Sequence, residues 1–249
     1  LSWRIESDEQ NVIQTAYHIL IASSPELLEQ GKGDIWDSGK IESDASQWIT
    51  YQGKTLKRNA SYYWKVKIDT NKGATNWSAP AFWTTGLFNE ADWQGQWIGL
   101  DRAAPGDSET QWSRLAARYL RKEFAVKKSV KRATVHIAGM GLYELFINGQ
   151  RIGNQVLAPA PTDYRKTILY NTYDVTSLLQ TENAIGVTLG NGRFYTMRQN
   201  YKPYKIPTFG YPKLRLNLIV EYADGSKETI ATNTSWKLTT EGPIRSNNE

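Results

Sequence analysis

From Tyr62 to Ile68 the chain alternates, with Tyr62, Trp64, Val66 and Ile68 on one side and Lys65 and Lys67 on the other. A period of two puts the first set on one face of an extended strand, so this stretch needs a dry side and a wet side. Short runs of the same kind recur along the chain, rich in β-branched and aromatic residues and separated by Gly, Asn, Asp and Pro clusters. That rhythm predicts an all-β chain of sandwich type rather than a helical or βαβ one.

In the first part, strands are predicted at residues 1–5, 15–22, 34–40, 48–51, 61–70 and 80–85, with one or two helical turns opened by Ser24-Pro25-Glu26. Leu56 before the clearest strand, and Asn71-Lys72-Gly73 with Asn76-Trp77-Ser78 after it, match the strand-turn-strand ending of a fibronectin type III module. In the second part, strands are predicted at 117–126, 132–137, 142–147, 166–174, 184–189, 212–222, 227–231 and 236–239, a set that suits a jelly-roll sandwich. Asn148-Gly149 and Asp224-Gly225 mark tight hairpins, and residues 175–179 a short helical turn.

A length of 249 residues accommodates two cores. The expected division is a fibronectin- or immunoglobulin-like sandwich at 1–87, a linker at 88–98 and a second sandwich at 99–249. The linker carries Trp93 and Trp97, which a flexible tether would not hold, so a rigid junction is expected. Residues 101–111 read as an exposed loop. Leu1 begins inside a strand pattern and residues 245–249 form a polar exit after Pro243, so truncation of the last sandwich is expected.

No cysteine is present, which excludes disulfides, thiolate zinc sites and cysteine nucleophiles. No apolar run approaches the roughly 20 residues of a membrane-spanning helix, so no membrane partner is expected. Residues 91–249 carry 21 basic against 14 acidic side chains, whereas residues 1–90 carry 9 against 11. The basic run from Arg114 to Arg132 has an anionic-ligand footprint as one reading, but it flanks a strand pattern and reads more simply as solvated strand and turn positions; without a nucleic-acid motif, no nucleic-acid partner is expected.

Glycoside hydrolysis needs two carboxyl groups on opposite sides of the scissile bond, and none of Asp34, Asp37, Glu144, Asp163 and Asp174 forms an evident pair in the sequence. His18 and His136 lie inside strand patterns without the elbow or zinc motif that would make them catalytic. Gly139-Met140-Gly141 lacks the following helix of a phosphate loop and reads as a bulge or turn. Residues 191–211 combine planar polar side chains with aromatic ones, the two kinds of group that grip neutral sugars. The candidate sugar ligands are Asn191, Arg193, Tyr195, Asn200 and Tyr201, with Asn154, Asp163 and Tyr164 from the preceding segment. The alternative is that these aromatics fill the end of the sandwich.

Specific strings then carry a resemblance. Ile35-Trp36-Asp37-Ser38-Gly39-Lys40 and Tyr62-Tyr63-Trp64-Lys65-Val66 resemble the leading fibronectin-like domain of bacterial α-L-rhamnosidases of glycoside hydrolase family 78. Tyr143-Glu144-Leu145-Phe146-Ile147-Asn148-Gly149, Thr162-Asp163-Tyr164 and Leu189-Gly190-Asn191-Gly192 resemble the galactose-binding-like jelly-roll domain that follows it. The resemblance implies an inverting hydrolase of terminal α-linked L-rhamnose whose catalytic acids sit in an (α/α)₆ barrel C-terminal to these sandwiches, so no catalytic residue is assigned in this chain. The implied partners are rhamnose-containing glycans and that barrel in cis, and a periplasmic or secreted location is favoured over a cytoplasmic one. Some relatives' jelly rolls bind rhamnose with calcium; Gly153-Asn154-Gln155 lacks the acidic residue often found there, leaving Asp163 and Glu144 as oxygen donors and calcium as the one cofactor to test. A stand-alone carbohydrate-binding module and a purely structural pair of sandwiches are the alternatives.

Overall fold

A computed structural model describes residues 1–103, 115–195 and 209–247. Within them the chain divides into two compact units, Leu1–Phe88 and Asn89–Glu249.

The first unit is built on one five-stranded antiparallel sheet. Its strands are β1 (Gln14–Ala22), β2 (Trp36–Glu42), β3 (Ser61–Thr70), β4 (Gly73–Ala74) and β5 (Ala81–Thr84). The order is β2-β1-β3-β4, with β5 pairing on β3. Central β1 is buried on both faces, which explains its nearly unbroken apolar run. Ile19 and Ile21 point into a cluster with Tyr62, Val66 and Ile68. Leu20 and Ala22 meet Leu28 from helix α1 (Pro25–Glu29), whose N-cap Ser24 accepts a hydrogen bond from the Leu27 N–H.

Two expected strands, 1–5 and 48–51, are not strands. Leu1 and Ile49 do exchange backbone hydrogen bonds, and Trp3 N–H donates to Ser46 O at 2.9 Å. The ladder breaks beside Trp48, whose φ of +58° lies in the left-handed region. Leu1, Trp3, Ile5 and Ile49 still pack on the β1–β3 cluster, so hydrophobic burial survives where regular pairing does not.

The second unit is a β-sandwich. One sheet, ordered β10-β9-β12-β7-β15, contains β7 (Arg118–Ala125), β9 (Leu142–Ile147), β10 (Gln150–Ile152), β12 (Glu182–Gly190) and β15 (Lys237–Thr239). The other, ordered β11-β8-β13-β14 with β6 pairing on β13, contains β6 (Ile98–Gly99), β8 (Val130–Met140), β11 (Tyr170–Asp174), β13 (Lys213–Tyr222) and β14 (Lys227–Ala231). Between them lies a core in which Val135, Ile137, Leu145, Ile185, Val187, Leu189, Leu216 and Leu218 are at most 2% exposed. Every second residue of β12 points inward, leaving Ala184, Gly186 and Thr188 facing out.

Asn148 and Gly149, with φ of +50° and +82°, form the two-residue hairpin between β9 and β10. The Asp224-Gly225 hairpin is one residue longer: Gly225 N–H donates to Tyr222 O, and Tyr222 N–H to Ser226 O. Residues 166–169, expected to begin a strand, instead lie in and after a turn in which Asp163 O accepts from the Lys166 and Thr167 N–H groups. Residues 101–111 fall largely outside the described residues.

Candidate functional site

The segment after Asn89 is fastened to the outer face of β13 by buried polar groups. Asn217, fully buried, accepts from the Gly95 N–H at 2.8 Å and donates to Asp92 O at 3.3 Å. Thr232, also fully buried, donates to Gln96 O at 2.7 Å, while its backbone carbonyl accepts the Gln96 N–H. Hydrogen bonds of this kind hold a segment because breaking one strands a desolvated partner. Arg215, one pleat away on β13, is 11% exposed and lies over Trp93 at 5.2 Å and Trp97 at 6.0 Å, donating to Gly95 O and pairing with Glu90. Trp93 in turn meets Tyr170 of β11 edge-on at 5.5 Å.

These residues and the turn after Asp163 enclose a concavity of about 240 Å³, with Trp93, Trp97, Tyr164 and Tyr170 as aromatic lining and Arg165 and Lys166 as polar rim. That volume falls below the roughly 300–1,000 Å³ of pockets for drug-sized ligands, which suits one small ring rather than a chain. A second concavity of about 310 Å³, mainly apolar, is lined by Trp97, Met140, Phe194, Phe209 and Tyr211. Tyr164 packs edge-on against Phe194 and Phe209, at 5.2 and 5.4 Å.

Of the expected sugar ligands among the described residues, only Tyr164 lines the smaller concavity. Asp163 accepts two hydrogen bonds from the Arg165 guanidinium and one from the Arg165 N–H, so it shapes the turn that presents Tyr164. Asn191 is 2% exposed and does a structural job: its side-chain amide donates to Asn247 O at 2.8 Å, and its N–H donates to Asn247 Oδ1. A side chain so enclosed cannot present itself to a ligand at the surface. Tyr195 stacks on Tyr211 at 5.5 Å; Arg193 and Asn154 are exposed. Asn200 and Tyr201 lie outside the described residues. In the sequence, Trp93 and Trp97 stand out only as linker residues; their partners Arg215 and Tyr170 lie on strands far along the chain. The available signal was Asn217, a polar residue in the apolar run of β13.

The residues do not fit calcium. That hard cation takes six to eight oxygen ligands, several of them anionic. Glu144 is paired with Arg151 at 3.1 Å and Asp163 with Arg165 at 3.0 Å, and no cluster of three or more His, Asp or Glu occurs among the described residues. Arg165 first, through its hydrogen bonds, holds the Asp163 carboxyl below the usual carboxylate range, the opposite of what a general acid requires. Arg215 likewise engages Glu90, and Lys213 engages Asp101 at 3.1 Å.

Residues 1–89 match the family model of the Rha78A-like N-terminal immunoglobulin domain, and residues 128–249 that of the α-L-rhamnosidase N-terminal domain. The chain belongs to the α-L-rhamnosidase family. An α-L-rhamnosidase of Formosa agariphila is 37% identical over 99% of the chain, and one of Alteromonas sp. is 34% identical over 98%. Among solved structures, the α-L-rhamnosidase of Dictyoglumus thermophilum superimposes with a TM-score of 0.87 at 40% identity, and that of Aspergillus terreus with 0.85 at 32%, each over 99% of the chain. The chain spans 28% of the Formosa relative and of both these structures, and 27% of the Alteromonas one.

Proposed function

We propose that this chain is a non-catalytic accessory region of an α-L-rhamnosidase, serving a catalytic (α/α)₆ barrel in cis that removes terminal α-L-rhamnosyl residues. In this reading residues 1–87 are a fibronectin-like sandwich, 88–98 connect, and 99–249 are a jelly roll of galactose-binding type. We further propose that the second sandwich holds a single rhamnosyl ring in the concavity between Trp93, Tyr164 and Tyr170. The observation that carries this is the pairing of aromatic faces with a hydrogen-bonding rim of Glu90, Arg165 and Lys166 in a space sized for one ring. An aromatic face covers the C–H patch of a sugar while Arg165 and Lys166 reach its hydroxyls.

Calorimetric titration of the 249-residue polypeptide with L-rhamnose tests the reading. Saturable binding is expected, unchanged by calcium or chelator, and Lys166→Ala and Tyr164→Ala should each weaken it several-fold. Absence of any rhamnose response would remove the sugar-binding part and leave a structural accessory role. Rhamnoside cleavage by this polypeptide alone would overturn the non-catalytic assignment.

A further inference from the structure

The outer face of the sheet containing β12 carries a groove of about 660 Å³, separate in its lining from both concavities described above. Its floor is set by register. Gly186 pairs with Phe146 of β9 on one side and Arg121 of β7 on the other, and Arg121 pairs with Lys237 of β15. In the next row Thr188 pairs with Tyr119, and Tyr119 with Thr239. Paired residues share a face, so Phe146 forms one wall, Tyr119 and Arg121 the other, with small side chains between them. The walls rise from strands about 10 Å apart, two inter-strand spacings.

Two features narrow the occupant. β12 is hydrogen-bonded on both sides, by β9 and β7, so an extended peptide cannot add to it as a strand. Any ligand must be held by side chains, through ring faces and charge. Arg121 and Lys237 line the groove, while the carboxylates of its flanking rows, Glu144 beside Thr188 and Glu123 beside Ala184, are each engaged by an arginine, Glu144 by Arg151 and Glu123 by Arg121. The Arg121 partner, Glu123, stands beside the groove in a pair whose members are 60% and 62% exposed, a weak contact in water that an incoming anion can displace.

We propose that this groove binds an extended run of acidic sugars, with ring faces against Phe146 and Tyr119 and carboxylates toward Arg121 and Lys237. It would hold a charged stretch of a glycan while the smaller concavity takes a terminal neutral ring, and it rests on the reading of the chain as part of a glycan-degrading enzyme. Its location is independent of that concavity.

The test is a titration of the 249-residue polypeptide with trigalacturonate and with its methyl ester, followed by NMR and calorimetry. Binding of the acid is expected, at least tenfold tighter than the ester, with shifts at Gly186 and Thr188, and weaker at 200 mM than at 50 mM salt. Gly186→Leu fills the trough where a new Cβ would meet only Phe146 Cβ, at 3.8 Å, so folding is preserved while binding falls at least tenfold. The double variant Arg121→Gln, Lys237→Gln should bring acid and ester to equal affinity. Both variants should keep the L-rhamnose response of the parent, which separates failure of this proposal from failure of the rhamnose site. Equal binding of acid and ester by the parent, no binding of either, or binding that survives Gly186→Leu would overturn it. So would concentration-dependent dimerisation abolished by Gly186→Leu, which would assign the groove to a second copy of the chain.

Discussion

His136 stands between Val135 and Ile137 in an apolar strand, and burial there changes its chemistry. Fully buried on β8, with Nδ1 2.9 Å from Thr172 Oγ1, it has its pKa pushed down to about 4, by burial first and then by the Arg132 charge. Unfolding returns the ring to its ordinary value near 6.5, so between pH 4 and 6.5 the unfolded chain binds more protons. Stability present above pH 6.5 is therefore lost as pH falls toward 4, by about 3 kcal/mol at most. His136→Gln should flatten that part of the urea-midpoint profile; an unchanged slope in the variant would place the acid sensitivity elsewhere. The exposed pair of His18 with Asp37 at 2.6 Å shows a different physics, since the Gly39 N–H first, and His18 as well, hold that carboxyl low in contact with solvent.

At the scale of elements, the turns decide which sheet each strand enters. β8 and β9 are consecutive but belong to opposite layers, and Gly141 is the corner between them. Its φ is +125°, and a Cβ there would lie 2.3 Å from the Gly190 carbonyl oxygen. Gly141→Ala should cost about 2–5 kcal/mol, combining backbone strain with a collision against backbone. Gly149 has φ of +82° but open space around it, so Gly149→Ala should cost only about 1–2 kcal/mol. Equal urea midpoints for the two variants would show that the corner can relax. The segment after Gly242 is likewise an element only by its contacts: Ile244 O accepts from the Ala117 N–H, and Asn247 donates to Leu115 O at 2.6 Å.

At the scale of the molecule, each unit has hydrophobic clusters of its own. Among the described residues, the clusters around Ile19 and Leu20 are made of residues before Asn89, and the sandwich core of residues after it. Ile21→Ala, at a fully buried position, should therefore cost the first unit about 2–5 kcal/mol. Amide exchange should quicken in β1 and β3 while protection in β8 and β13 holds; an equal loss in both would mean that the units unfold as one.

Sequence alone determined the all-β character, the inward face of β3, both tight hairpins, the N-cap of α1 and the family to which the chain belongs. Each rests on local periodicity, turn chemistry or ordered strings, signals complete within a few residues. It could not show that Asn191 is enclosed or that Asp163 is committed to Arg165, since side-chain partners are not encoded in spacing. Only the tertiary structure brought Trp93 and Trp97 to Arg215, through a Gly95–Asn217 hydrogen bond that spans 122 residues of chain. It also set Phe146, Gly186, Arg121 and Lys237 in one row. Strand order and register create both surfaces, and these emerge from the packing of the two sheets, which no single segment specifies.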